Sequence, residues 1–389
     1  MRKHIVYEKK IEINLMQKLI KKMKSVTGFR NIVYNVNGTC YERNCLISYI
    51  KKPFESGPSN THQNGIQVLE IARLIGEYGY NVDVIDYMSR HVIFNKKYDA
   101  IFDICVKNQP VYKNYLKASA KRIVYFTGSE SKFANNAEMD RLKACEIRRG
   151  VKLQPRRQAP LISKEIEKFD EAIIIGNKYN LATYNEFNLP QTFLVPNTGY
   201  NFGNCFNSAE RKPTNFLYFG SAGCIHKGLD LLLEIFAEPK FPGTLFVCGN
   251  FEKEKDFRSE YEIELYHTEN IIPIGFIDIE GEKFKDVCSW CSYTILPSCS
   301  EGMAGSIATC MSAGLIPICS EICGYSDNPE IITLKDCSKE CIRSTILEAM
   351  SKDKNWINEK SNKMLELANE KYSMKNFQAA MRKALSVVL

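Results

Sequence analysis

The sequence predicts an α/β protein built from two facing, doubly wound Rossmann-like domains with a basic N-terminal helical extension. Three observations carry that prediction. At 389 residues the chain exceeds what one ordinary hydrophobic core holds. Apolar, β-rich runs alternate with helical stretches in two series, separated at residues 196–213 by PNTGYNFGNCFNSAERKP, which is rich in Asn, Gly and Pro. Charge divides at the same place: residues 1–213 carry 34 Lys and Arg against 20 Asp and Glu, whereas residues 214–389 carry 18 against 25. Such asymmetry argues for two units with different tasks, and a basic first half points to an anionic partner or surface.

Taken in order, residues 1–31 read as the basic helical extension, with Ile13, Leu15, Met16, Leu19, Ile20 and Met23 set among lysines. A helix of that kind either lies on an anionic membrane surface or packs on the first domain. The first domain, 32–200, has strand candidates at 45–50, 82–86, 101–106, 123–126, 172–175 and 192–195. Between the first two lies HQNGIQVLEIARLIGEYGY, whose Ile66, Leu69, Ala72, Leu74 and Ile75 recur at helical spacing before Gly79 closes the turn. That βαβ unit favours a parallel sheet covered by helices. After a linker at 201–213, the second domain (214–372) alternates again. Strands are expected at 216–219, 244–248, 270–276, 293–296, 315–319 and 331–334, and helices over 229–236 and 306–313. The last helix, 373–389, is expected to return to the first domain.

Composition excludes several classes. The chain is 44% hydrophobic and 25% charged, as soluble globular proteins are. It has no apolar run of the ~18 residues a bilayer span needs and no signal-peptide pattern, so a cytoplasmic protein is expected, with the basic extension as its one candidate for contact with the inner membrane face. Fifteen scattered cysteines read as small buried hydrophobes rather than disulfides. The one CxxC, Cys288 to Cys291, lacks a second pair at zinc spacing, and no metal is expected. Nucleic acid is not an expected partner, since no helix-turn-helix, RNP or zinc-finger pattern occurs.

Two segments carry the chemistry: FLYFGSAGCIHKGLDLLLE at 216–234 and PSCSEGMAGSIATCMSAGLIP at 297–317. Each is an apolar strand running into a Gly/Ser-rich loop that opens a helix, an arrangement that aims free backbone N–H groups at a phosphate. Together they suggest a nucleotide diphosphate held between two loops. Lys227 stands where a cation would neutralise that diphosphate, and an unpartnered lysine is otherwise disfavoured at a helix start. Glu301 either meets the group carried on the diphosphate or is a capping charge. Gly302 and Gly305 permit close backbone approach, and Ser306 either bonds phosphate or caps the helix. On the first-domain side, His62 and Asn64 in the loop before the first helix, and Ser129 and Glu130 after the fourth strand, are the acceptor-side candidates, among which a general base is sought. His226 is a second cleft-side histidine. Arg148, Arg149, Lys152, Arg156 and Arg157 form a basic cluster at a helix end and loop.

At these residues the chain resembles the GT-B glycosyltransferases, and within them the family 4 group of retaining, nucleotide-sugar-dependent enzymes. Four pieces occur in the family's order: FLYFG with HKGLDLLLE, LFVCGN, NIIPIGFID and LPSCSEGMAGSIATCMSAGLIPI. The first domain is similar more loosely, through CLISYIKKPF, GIQVLEIARLIGEYGYNVDVIDY and EIRRGVKLQPRR, to transferases of bacterial surface-polysaccharide loci. The resemblance implies a nucleotide-sugar donor on the second domain, held by Gly220, Ser221, Gly223, Lys227, Gly249, Asn250, Glu301, Gly302, Met303, Ala304, Gly305, Ser306 and Thr309. It implies a glycan or lipid-linked saccharide acceptor on the first domain, and catalysis by Lys227 on the diphosphate and Glu301 on the sugar hydroxyls, with His62 as a further catalytic candidate. No cofactor or metal ion is implied. Two positions depart from the pattern. Ser221 stands where the family commonly has Arg, and Thr309 where an E-x7-E motif would place a second, ribose-binding Glu. A threonine hydroxyl bonds a ribose more weakly than a carboxylate does. These departures keep a second reading open, a relative that binds nucleotide sugar or glycan without transfer. A Rossmann oxidoreductase is disfavoured, because no GxGxxG follows the first strand of either domain.

Overall fold

A computed structural model describes residues 31–59, 62–89, 92–203, 206 and 210–389. The basic extension expected up to residue 31 falls, but for Asn31, outside the described residues. Seven strands form the first sheet: β1 (Ile32–Val33), β2 (Arg43–Tyr49), β3 (Tyr80–Asp86), β4 (Tyr98–Asp103), β5 (Leu116–Phe126), β6 (Glu171–Ile175) and β7 (Gln191–Val195). Their order is β1-β3-β2-β4-β5-β6-β7. Every neighbouring pair is parallel except β1 on β3. Parallel pairing requires crossovers, and α1 (Asn64–Glu77) and α2 (Ser131–Arg149) supply two of them. Val68, Ile71, Ala72 and Ile75 bury one face of α1, and Gly79 at φ 81 turns the chain into β3 in a conformation other residues resist.

The second sheet contains β8 (Lys212–Gly220), β9 (Thr244–Gly249), β10 (Ile271–Gly275), β11 (Cys291–Leu296), β12 (Ile316–Ser320) and β13 (Ile332–Leu334). Its helices of eight or more residues are α3 (Leu229–Phe236), α4 (Glu282–Trp290) and α5 (Gly305–Ser312), followed by α6 (Lys339–Met350), α7 (Lys354–Lys371) and α8 (Met374–Val388). The strands lie in the order β10-β9-β8-β11-β12-β13, all parallel. Counted along the chain this is 3-2-1-4-5-6, the doubly wound order whose ligand crevice opens beyond the carboxyl ends of the strands where winding reverses. Here the reversal falls between β8 and β11. The two Gly/Ser-rich loops are the ones that leave those strands.

Several boundaries differ from the sequence expectation. The 101–106 strand stops at Asp103, because that buried carboxylate accepts from the Cys105 N–H at 3.1 Å and turns the chain. The 270–276 strand stops at Gly275, whose φ of 80 breaks the extended run and leaves Phe276 exposed. β8 already begins at Lys212, inside the break at 196–213. Helix α8 packs on α1 and β7, with Tyr78 Oη donating to the Arg382 carbonyl at 3.0 Å and Arg382 paired to Glu77 at 3.2 Å.

One apolar cluster runs from the first sheet through α2 into the second. Around it, the basic end of α2 meets carboxylates of the second domain. Arg148 pairs with Asp230 at 2.5 Å and Glu234 at 3.0 Å, and Arg149 with Glu260 at 2.8 Å and Glu264 at 2.7 Å. Arg156 pairs with Asp256. The sequence suggested an anionic partner or surface for the basic first half, to which this cluster belongs. Instead, three of its five basic side chains answer to acids of the same chain, so part of the charge asymmetry is complementarity between domains. Every described cysteine is a free thiol. Cys288 and Cys291 are buried and burial pushes their pKa up, which suits packing rather than thiolate chemistry.

Candidate functional site

A cleft partly open to solvent, with an enclosed volume of about 150 Å³, lies beyond the carboxyl ends of β8 and β11. Its walls include Gly220, Ser221 and Lys227 after β8, Gly249 and Asn250 after β9, Phe276 to Ile279 after β10, and Glu301, Ala304, Gly305, Ser306 and Thr309 after β11. The first domain contributes His62, Gln63 and Arg157, and Tyr200 comes from the segment joining the domains.

The loop after β11 is built to hold Glu301 in place. His226 donates through Nε2 to the Ser300 carbonyl at 2.6 Å, and its own carbonyl accepts from the Cys299 N–H at 2.9 Å. That carbonyl partner fixes the Nε2–H tautomer and leaves Nδ1 buried without a partner among the described residues. Burial, aided by the Lys227 and Arg157 charges, holds the His226 pKa below its ordinary value, so the ring is a neutral brace. Lys227, almost fully buried, pairs with Glu301 through Oε1, and Ser298 Oγ donates to the same oxygen at 2.9 Å. Burial alone would raise the Glu301 pKa, but the Lys227 and Arg157 charges and the hydrogen bond from Lys227 outweigh it and bring it to about 2. The group is therefore an anion at neutral pH, and its Oε2 has no hydrogen bond among the described residues.

Backbone donors are distributed differently from the sequence expectation. After β8 the chain makes a tight turn before α3. Within it the Lys227, Gly228 and Leu229 N–H groups bond the carbonyls of Gly223, Ile225 and Cys224 at 2.9–3.0 Å. The N–H groups of Gly223 and Cys224 both go to the carboxylate of Glu254, at 2.5 and 3.1 Å. The first helix start thus has little left to offer an anion. At α5 the case is the reverse: Ala304 caps without a side-chain bond, and the N–H groups of Gly305 and Ser306 have no acceptor among the described residues. The second loop is the one whose backbone donors stay open toward the cleft.

Residues 213–352 match the family of glycosyl transferases group 1. No curated protein sequence matches the chain. Among solved structures, sucrose-phosphate synthase from Thermosynechococcus elongatus is 15% identical with a TM-score of 0.65, over 89% of this chain and 98% of its own. HepE from Anabaena, solved with UDP and glucose, is 11% identical with a TM-score of 0.58, over 89% of this chain and all of its own. TarM from S. aureus, in complex with Fondaparinux, alpha-GlcNAc-glycerol and UDP, is 13% identical with a TM-score of 0.53, over 78% of this chain and 60% of its own. The fold is GT-B.

Set on this GT-B frame, the sequence-derived residues divide. Gly220, Ser221, Lys227, Gly249, Asn250, Glu301, Ala304, Gly305, Ser306, Thr309 and His62 line the cleft. Gly223, Gly302, Met303, Asn64, Ser129 and Glu130 do not. Gly302 lies against the first domain, where a Cβ would come within 2.6 Å of the Thr127 carbonyl oxygen and 2.9 Å of that of Ile175. Met303 accepts from Asn197 through both Sδ and its carbonyl. Ser129, read as an acceptor contact, donates through N–H (3.0 Å) and Oγ to the Glu301 carbonyl, because the two domains touch there. Glu130 is buried as the N-cap of α2, accepting from the Phe133 N–H at 2.8 Å. Asn64 opens α1 and donates its N–H to His62 Nδ1 at 3.3 Å. That bond leaves His62 with its proton on Nε2. His62 is itself exposed, but desolvation by the cleft wall, then the Arg157 and Lys227 charges, lower its pKa, so it offers the cleft a neutral donor rather than a free base.

Thr309 is also engaged. Its Oγ1 accepts from Gln63 Nε2 at 2.8 Å and donates to the Gly305 carbonyl at 2.8 Å, and Gln63 bonds that carbonyl too at 2.9 Å. Sequence reasoning missed Gln63, Tyr200 and Phe276, and it saw Arg157 only as part of a patch. An apolar aromatic left exposed beyond a strand end was the available signal for Phe276. None existed for Gln63.

Proposed function

We propose that this chain transfers a glycosyl group from a nucleotide-sugar donor to a glycan or lipid-linked saccharide, in the synthesis of a surface polysaccharide or glycoconjugate. The observation that carries the reading is the buried Lys227–Glu301 pair beside the open Gly305 and Ser306 N–H groups, at the winding reversal of a GT-B second domain. The diphosphate lies at the start of α5, and the nucleoside reaches toward Asn250 and the Phe276–Ile279 wall. The bond from the anomeric carbon to the diphosphate oxygen breaks, a bond to an acceptor hydroxyl forms, and the hydroxyl proton is released to the diphosphate. Lys227 and the α5 N–H groups stabilise charge on the leaving diphosphate, and no metal ion is needed for that task. Glu301 Oε2 accepts from donor-sugar hydroxyls, while His62 offers Nε2–H from the acceptor side. Retention of configuration is part of the proposal. So is contact of the basic N-terminal segment with an anionic membrane surface, for which no described helix is long and apolar enough to cross the bilayer.

Screening UDP-, GDP-, ADP- and CMP-sugars for thermal stabilisation identifies the donor, since a ligand that binds only the folded state raises its stability. With that donor, Lys227→Ala should lower turnover by ~10²–10³. Near-full turnover sinks the assignment. The engagement of Thr309 by Gln63 favours a second reading, a GT-B protein that binds nucleotide sugar or glycan without transfer. Calorimetric donor binding with neither transfer nor hydrolysis would establish it.

A further inference from the structure

We propose that Arg157, carried by the first domain, is the free cation that grips the donor's diphosphate. The inference rests on the nucleotide-sugar reading above and deepens it. The charged side chains lining the cleft are Arg157, Lys227, Asp278 and Glu301. Lys227 and Glu301 neutralise one another in a buried pair. Asp278 lies beyond β10, two strands away from β8, or ~10 Å at ordinary strand spacing. His62 and His226 are held neutral. The diphosphate of a nucleotide sugar carries two negative charges, and an ion pair of zero net charge with two backbone N–H groups leaves them largely uncompensated.

Arg157 is placed to supply the missing charge. Its Cγ and Cδ lie 2.6 and 3.1 Å from where a Cβ on Gly223 would be, so the side chain crosses the β8 loop at a position only glycine leaves open. The guanidinium has no hydrogen bond or ion pair among the described residues, whereas the neighbouring Arg148, Arg149 and Arg156 are all paired. The backbone beneath it is anchored. Buried Glu138 accepts from the Arg156 N–H at 2.9 Å, the Arg157 N–H at 2.9 and 3.1 Å, and Gln158 Nε2 at 2.7 Å. Arg156 then ties the segment to Asp256 of the second domain. A fixed backbone with an unengaged planar guanidinium suits bidentate contact to two phosphate oxygens, which a lysine does not reproduce. The donor site is then complete only when the domains are docked.

The test uses the full chain with UDP, GDP, ADP, their nucleosides and inorganic pyrophosphate, measured by calorimetry against Arg157→Gln and Arg157→Lys. For the diphosphate that wild type binds most tightly, Arg157→Gln should weaken affinity roughly tenfold or more, with Arg157→Lys intermediate and nucleoside affinity unchanged. The melting temperature at pH 7 should fall only slightly, since the guanidinium has no direct partner among the described residues and gives up only its share of the field that keeps Glu301 ionised. Equal diphosphate affinity in wild type and Arg157→Gln overturns the inference while leaving the nucleotide-sugar reading intact, and a loss of affinity that extends equally to the nucleosides, marking a structural arginine, overturns it as well. Wild type that binds none of the three diphosphates and no pyrophosphate overturns the reading itself, and the inference falls with it.

Discussion

Replacing Glu301 with Gln separates the electrostatics of the site from its shape. The amide oxygen can still accept from Lys227 and Ser298, but the group no longer titrates. In the folded chain the Glu301 pKa is about 2 against an ordinary value of 4.5, and the side chain is only 11% exposed. A depressed folded pKa means stability that is fully present above the unfolded pKa and lost as pH falls from about 4.5 toward 2. A difference of ~2.5 units at ~1.36 kcal/mol each amounts to about 3 kcal/mol, owed mostly to Lys227 and in smaller part to Arg157. Urea unfolding of wild type and Glu301→Gln should therefore show a gap of about 3 kcal/mol at pH 7 that narrows steadily below pH 4.5. In the double variant with Lys227→Met, much of the penalty should vanish, because the lone buried lysine of the single variant is what costs most. A gap that stays constant from pH 7 to pH 3 would refute the reasoning, since the carboxylate would then have no special tie to its surroundings.

Other substitutions test the parts around it. Gly302→Ala drives a Cβ against two first-domain carbonyls, neither able to yield as a flexible side chain could, so it should lower stability by about 2 kcal/mol or more and part the domains, visible in a melting curve and in small-angle scattering. Arg149→Met removes two carboxylate partners and should cost about 1–3 kcal/mol at low salt; the cost should shrink in 1 M NaCl, and an unchanged cost would mean packing rather than charge. Thr309→Val takes a partner from the buried Gln63 amide and should destabilise by about 1–2 kcal/mol with donor affinity unchanged; a loss of affinity at unchanged stability would instead make Thr309 a ribose contact.

What could be read from the chain follows the range of the forces involved. The βαβ alternation and the two Gly/Ser-rich loops are local patterns, and they located the cleft. The 3-2-1-4-5-6 strand order that gives those loops their meaning depends on pairing between distant segments, which periodicity does not encode. Lys227 illustrates a partial reading: its sequence position suggested a helix start, yet it lies inside a turn, Cys224 to Gly228, that precedes α3 and absorbs the N–H groups a phosphate would need. Glu130 was misplaced for a local reason, since a carboxylate three residues before Phe133 is a helix cap that was legible but not considered. Ser129 and Gln63 were beyond reach, because each acts on a residue more than 170 positions away.

Glu301 sits where the two domains' influence converges. Its carboxylate is held from within the second domain by Lys227 and Ser298, and its carbonyl from the first domain by Ser129 and by Asn180 at 3.1 Å. The next residue, Gly302, is pressed between Thr127 and Ile175. No side chain longer than hydrogen fits there while the domains touch, so the direction of the Glu301 carboxylate is set jointly by both halves. The pairs from Arg148 and Arg149 at the C-terminal end of α2, and from Arg156 in the loop after it, to five second-domain carboxylates stabilise the same contact. Undocking would release the Glu301 carbonyl and the loop's position together, leaving Lys227 and the open N–H groups of α5 without the geometry that aligns them. Domain contact and the shape of the cleft are therefore one structural variable in this chain, and the charge asymmetry first visible in the sequence is part of what holds it at the docked value.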